Sequence, residues 1–191
     1  MSATRQRWLD EGLAVLAEEG AAGLRIDRLA ARLGLTKGSF FHHFGGTAGF
    51  RAALLEYYEG LTLGALAEAV EARRGEGTRA TLAWLTDLAT GDTDSIGIAI
   101  RNAELDLAVR AWAASDAEVR AVQARIDAAV IAALQATWRP VVETDAAART
   151  AALVPYLVSL GAAVTVPPIS AQELRDVYEL LLEAVPRSPD E

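Results

Sequence analysis

The sequence has no cysteine, a single lysine, two histidines and only 6% aromatic residues. The lack of cysteine removes disulfides and thiolate chemistry and fits a reducing compartment. The shortage of aromatics leaves Ala, Leu and Val to supply most of the apolar content. Ala and Leu are strong helix formers, whereas strands favour β-branched and aromatic side chains, so an all-helical fold is expected. No nucleophile–base pair, phosphate loop or metal-ligand cluster is visible, and an enzyme is not expected. The first residues, Met1-Ser2-Ala3-Thr4-Arg5, run directly into a charged amphipathic stretch without a signal-peptide core, from which a cytoplasmic location is expected.

Charge is missing from one long segment. No residue from Thr150 to Gln172 is charged, a length that suffices to cross a bilayer. Pro155, Ser159, Gly161 and the pair Pro167-Pro168 interrupt it. A helix buried on most of its sides at a subunit interface is the expected reading, without a membrane. The net charge of −8 argues at first against a nucleic-acid partner, but its distribution matters more than its sum. Up to Glu59 basic and acidic residues balance at seven each, and the surplus of acid lies beyond. Between Arg25 and His43, Arg25, Arg28, Arg32 and Lys37 face Asp27 alone, a local basic strip suited to phosphate.

Hydrophobic periodicity and caps divide the chain into about nine helices. Leu9, Leu13, Leu16 and Ala17 mark the first, closed by Gly20. Ile26, Leu29, Ala30 and Leu33 mark a short second helix, with Gly34 placed for a left-handed C-cap. Thr36 caps a third helix through about His43, and Gly45-Gly46 breaks the chain again. A long helix opens near Thr47 and ends by Gly75, and Leu82, Leu85 and Ala89 define the next. Ile98, Asn102, Leu105, Val109 and Trp112 form a further stripe. Ser115 with Glu118 and Ser170 with Glu173 read as capping boxes, and Thr144 as a cap between them. The expected domains are a head over residues 1–46, a helical body over 47–186 and a tail over 187–191.

Two short helices joined by a tight glycine-containing turn are the geometric basis of a helix-turn-helix. The second helix must offer its N-terminal half to a duplex groove, so small or polar residues belong there. Thr36, Lys37, Gly38 and Ser39 meet that need. Unpaired N–H groups and the helix dipole at the same end also attract phosphate.

The run from Leu29 through Gly34-Leu35-Thr36-Lys37-Gly38-Ser39-Phe40-Phe41-His42-His43-Phe44 resembles the DNA-binding signature of the TetR family of bacterial regulators. The resemblance covers about Arg5 to Tyr58 and is one of architecture alone beyond that point. It implies that Thr36, Lys37, Ser39 and Phe40 meet bases or the adjacent backbone, and that His42 and His43 contact phosphate or support the turn. Gly38, Arg25, Arg28 and Thr47 complete the expected DNA-binding set. Three residues depart from the pattern: Phe41 replaces a Tyr, Thr47 a Lys, and Arg25 a capping Thr or Ser. Fewer phosphate contacts should make the salt dependence of DNA binding shallower than a slope of about −8, since each lost contact lowers it by about one. His42 and His43, as neighbours on a helix, cannot chelate one metal together. Of Phe40, Phe41 and Phe44, most should be core in so small a head.

For the body, dimerisation and ligand sensing are expected. Leu153, Leu157 and Leu160 with Leu174, Val177 and Leu181 form wide apolar faces suited to a twofold four-helix bundle, and a palindromic duplex operator needs that symmetry. Trp84, Arg101, Asn102, Trp112 and Tyr156 are candidates to line a small-molecule site, where a few polar groups sit among aromatics. A buried Asn with an internal partner is the plainer reading of Asn102. The resemblance implies a repressor released by an effector of unknown identity, with no cofactor and no metal. A helical interaction scaffold without DNA binding explains the acidity, but not the Gly34-to-Phe44 run.

Overall fold

The computed structural model of the protein describes residues 2–90 and 103–185. Arg101 and Asn102, the start of the Ile98 stripe, and the tail expected at 187–191 lie outside the described residues. Nine α-helices and two short 3₁₀ turns make up the described residues, with no strand among them. The helices are α1 (Ala3–Glu19), α2 (Ile26–Leu33), α3 (Lys37–Phe44), α4 (Thr47–Ala72), α5 (Thr78–Thr90), α6 (Ala103–Ser115), α7 (Ala117–Trp138), α8 (Asp145–Val164) and α9 (Ala171–Glu183).

Most of the expected punctuation is present. The hydroxyl of Thr144 accepts from the Ala147 N–H at the start of α8. Ser170 and Glu173 form a reciprocal capping box at α9. The cap of α7 differs from expectation. Asp116 takes that position, its carboxylate accepting from the N–H groups of Glu118 at 3.0 Å and Val119 at 3.2 Å. The Ser115 hydroxyl instead donates back to the Trp112 carbonyl. A carboxylate is charged at the positive end of the helix dipole, so Asp wins where Ser and Asp are adjacent.

Packing divides the chain into two compact units, one from residues 1–62 with 102–126 and the other from 63–101 with 127–191. The first unit therefore runs past the boundary expected at residue 46. The reason lies in the start of α4, whose Phe50 and Leu54 are buried and come up against Gly12 of α1. A Cβ at Gly12 would stand 2.8 Å from the Phe50 ring, so glycine is what lets the two helices meet. In the same unit α6 packs along α1, with Leu105 and Val109 on its buried side.

In the second unit, Leu82, Leu134, Trp138, Ala148, Ala152 and Val185 form the core, with Tyr156 and Leu182 packed against it. α5 packs on α9. α8 is continuous through Pro155, where an interruption is expected from the sequence. Proline has no N–H to give the carbonyl four residues back, here that of Ala151. Pro155 is buried, and its carbonyl accepts from the Ser159 hydroxyl at 2.9 Å. Ser159 and Tyr178 of α9 are joined hydroxyl to hydroxyl at 2.7 Å. Burial pushes the Tyr178 phenol above its ordinary range. By length and composition alone α8 is apolar enough to cross a membrane, with a mean hydropathy of 1.4.

Candidate DNA-binding site

The geometry of the head begins at the turn between α2 and α3. Gly34 adopts the left-handed conformation (φ 64°) that costs a residue with a Cβ. The N–H of Leu35 donates to the Ala30 carbonyl at 3.0 Å and that of Gly34 to Ala31 at 3.3 Å, the paired bonds of a Schellman end. Arg7 of α1 donates to the Leu33 carbonyl at 3.1 Å and secures the same helix end. Thr36 then opens α3, its hydroxyl accepting from the Ser39 N–H at 3.2 Å.

α3 has two chemically distinct faces. Phe40 is fully buried, and Phe44 is buried beside it. The Phe40 ring lies edge-on to Trp8 of α1 at 5.3 Å, and 5.1 Å from Phe50 of α4. Phe44 completes the cluster at 5.2 Å from Phe40 and 5.0 Å from Phe50. The approach of α4 is so close that a Cβ at Gly49 would fall 2.0 Å from the Phe44 carbonyl oxygen. On the other face Thr36, Lys37, Gly38, Phe41 and His42 are exposed.

Phe40 thus corrects one expectation. Its side chain anchors α3 to the core and has no route to a base. Phe41, at 50% exposure, is the aromatic that faces outward. Ser39 and His43 are half-buried, and the His43 ring packs 6.2 Å from Phe44. Thr47 is exposed at the start of α4.

The basic strip is also less free than the sequence suggests. Lys37 pairs with Asp27 and Arg28 with Glu19. Arg32 is held by Glu11 and by both oxygens of Glu18, at 2.6 and 3.1 Å. The bond to Arg32 keeps the Glu18 carboxyl below its ordinary range and holds the guanidinium above its own. Arg32 therefore ties α2 to α1. Arg28 and Lys37, like Asp27, are exposed, and such pairs are weak enough to exchange for phosphate. Arg25 is exposed at the N-cap of α2, where its side chain makes no capping bond.

The remaining candidates separate. Trp84, with Arg73 stacked 4.6 Å from its ring centre, and Tyr156 belong to the second unit. Trp112 belongs to the first, beneath the guanidinium of Arg51. Among the expected interface residues, Leu157 and Val177 are exposed, and Leu153, Leu160 and Leu181 are half-buried. Leu174, at 9% exposure, is packed within its own protomer, a second correction. Val154, Val164 and Leu180, outside the set expected from the sequence, are also exposed apolar residues. No group of three or more His, Cys, Asp or Glu placed to hold a metal occurs among the described residues.

A capped helix with a polar outer face, set behind a Schellman turn and anchored by aromatics, defines a helix-turn-helix DNA-binding module. Residues 9–54 match the sequence model of the bacterial regulatory proteins of the tetR family. No curated protein matches the chain. Solved structures share its fold along its length. A TetR-family transcriptional regulator from Rhodococcus sp. is 22% identical, with a TM-score of 0.66, over 96% of this chain and 99% of that one. A transcriptional regulator from Saccharomonospora viridis, in complex with choline, is 18% identical with a TM-score of 0.71, over 98% and 100%. The multidrug binding protein EbrR, complexed with malachite green, is 24% identical with a TM-score of 0.62, over 97% and 100%.

Proposed function

We propose that the protein is a cytoplasmic repressor that binds a palindromic operator as a homodimer and leaves it when a small-molecule effector binds the body. The observation that carries this reading is the outer face of α3. Thr36, Lys37 and Gly38 offer hydrogen-bonding groups and one charge with little bulk, at the helix end that attracts anions. Ser39, His42, His43, Thr47, Arg25 and Arg28 would supply further contacts to backbone phosphate or to the turn.

The dimer would form through α8 and α9. Leu157 and Leu180 are exposed along them, and an apolar surface of that kind is normally covered. The same pairing explains why α8 is apolar enough for a membrane without needing one. Effector release is supported by fold relatives solved with choline and with malachite green. Trp84 and Tyr156, both of the second unit, are the residues proposed for the effector site. An effector shifts the equilibrium only by its difference in affinity for the bound and released conformations.

Gel-shift against a fragment upstream of the protein's own gene tests the reading. A shifted band is expected, and Lys37→Ala should weaken it about tenfold or more while the dimer survives. A wild-type protein that shifts no such fragment, at any salt concentration, is the contrary result.

A further inference from the structure

The first turn of α4 lies between two packed regions of the first unit. On one side Phe50 enters the aromatic cluster that anchors α3. Its neighbour Arg51 serves the other side. The Arg51 guanidinium donates to Asp116 at 2.5 Å, pairs with Glu118 at 3.0 Å and lies 5.4 Å from the centre of the Trp112 ring. Trp112 belongs to α6, Glu118 to α7, and Asp116 is the residue between those helices that caps α7. Burial opposes the charge on Asp116, but the Val119 N–H, the Arg51 charge and the Glu118 N–H outweigh it and hold the carboxyl below its ordinary range. One side chain on the helix behind α3 thus engages both arms of the α6–α7 corner.

Two further observations describe the surroundings of this contact. The Arg51 Nε is buried without a hydrogen-bond partner, so the guanidinium is incompletely satisfied where it stands. Thr47, Phe50, Arg51 and Trp112 also wall a cleft of about 220 Å³ that extends to Leu29 and Phe40. The first turn of α4 therefore has space beside it.

We propose that Arg51 is the positioning residue that fixes the reading helix relative to the α6–α7 corner. The proposal rests on the DNA-binding reading for its consequence, though not for its structure. In the free protein, Arg51→Gln should speed amide hydrogen exchange in α3 and the first turn of α4 and leave α5, α8 and α9 unchanged. If the binding-competent orientation falls to about a tenth of the population, apparent affinity falls about tenfold. The probe is a duplex selected by the wild-type protein from a randomised pool. The salt slope of binding should stay the same, because no phosphate contact is lost. Trp112→Leu, which keeps both ion pairs, should give part of the same effect.

A slope reduced by about one, with exchange in the free protein unchanged, would make Arg51 a direct phosphate contact and overturn the proposal. Faster exchange throughout every helix would reduce it to general stability and overturn it equally. Failure of the wild-type protein to enrich any duplex would count against the regulator reading, and the exchange comparison would still decide the role of Arg51.

Discussion

In the reading head the large side chains turn inward. Trp8 and Phe40 are fully buried, and the surface is left to Thr36, Lys37 and Gly38. Along α8 and α9 the large aliphatics turn outward, with Leu157 59% and Leu180 65% exposed. The head's helices mix apolar and charged residues and bury their large side chains, whereas α8 is apolar over most of its length and, with α9, leaves large aliphatics exposed. A finished surface that is polar, small and set at a helix N-terminus suits a ligand with donors, acceptors and phosphates. An unfinished apolar surface suits a second copy of itself. On the proposed function, the difference separates a region that recognises something else from a region that completes the protein.

The largest expected effect lies inside the head. Phe40→Ala should destabilise the protein by about 3–5 kcal/mol in urea denaturation, as loss of a buried aromatic does. Phe41→Ala, one residue along, should stay within about 0.5 kcal/mol, because its ring is half exposed. Equal costs would mean that α3 is not divided into an anchored and a free face. Next comes the unfinished region. Leu157→Asp should weaken dimerisation by roughly a hundredfold, about 2–3 kcal/mol, in sedimentation equilibrium. An unchanged dimer would place the subunit contact elsewhere.

The smallest effect is a pH dependence at the start of α9. Glu173 is held below its ordinary value of 4.5, first by the Ser170 hydroxyl and then by the Ser170 N–H. A carboxyl lowered in the folded state contributes its stability fully above the ordinary value and loses it as pH falls through the lowered one. Removing that partner with Ser170→Ala should flatten the acid limb of a thermal-stability profile below about pH 4.5 and leave neutral pH with only the loss of an ordinary cap. Parallel profiles for the two proteins would refute the role of the box.

How far the sequence could be read follows the same division. Gly34, Thr36, Thr144 and the Ser170–Glu173 box were legible because caps and turns act over a few residues. Phe40 and Phe41 were interchangeable by sequence, since an eight-residue helix with adjacent aromatics does not reveal which of them faces the core. The neutralisation of the basic strip was hidden because Glu11, Glu18 and Glu19 reach it from α1. Arg51 went unnoticed for a similar reason, as its partner Asp116 lies 65 residues away. The cap of α7 was misassigned between two adjacent capping residues, and only the observed hydrogen bonds separate them. Local geometry was readable, and pairings across the chain were not.

The most direct measurement is selection of bound duplexes from a randomised pool by the full-length protein. The account predicts an enriched palindrome with half-sites about one helical turn apart, roughly 34 Å, and loss of enrichment for a Thr36→Ala, Lys37→Ala variant that still dimerises. Absence of any enriched sequence, or equal enrichment by that variant, would contradict it.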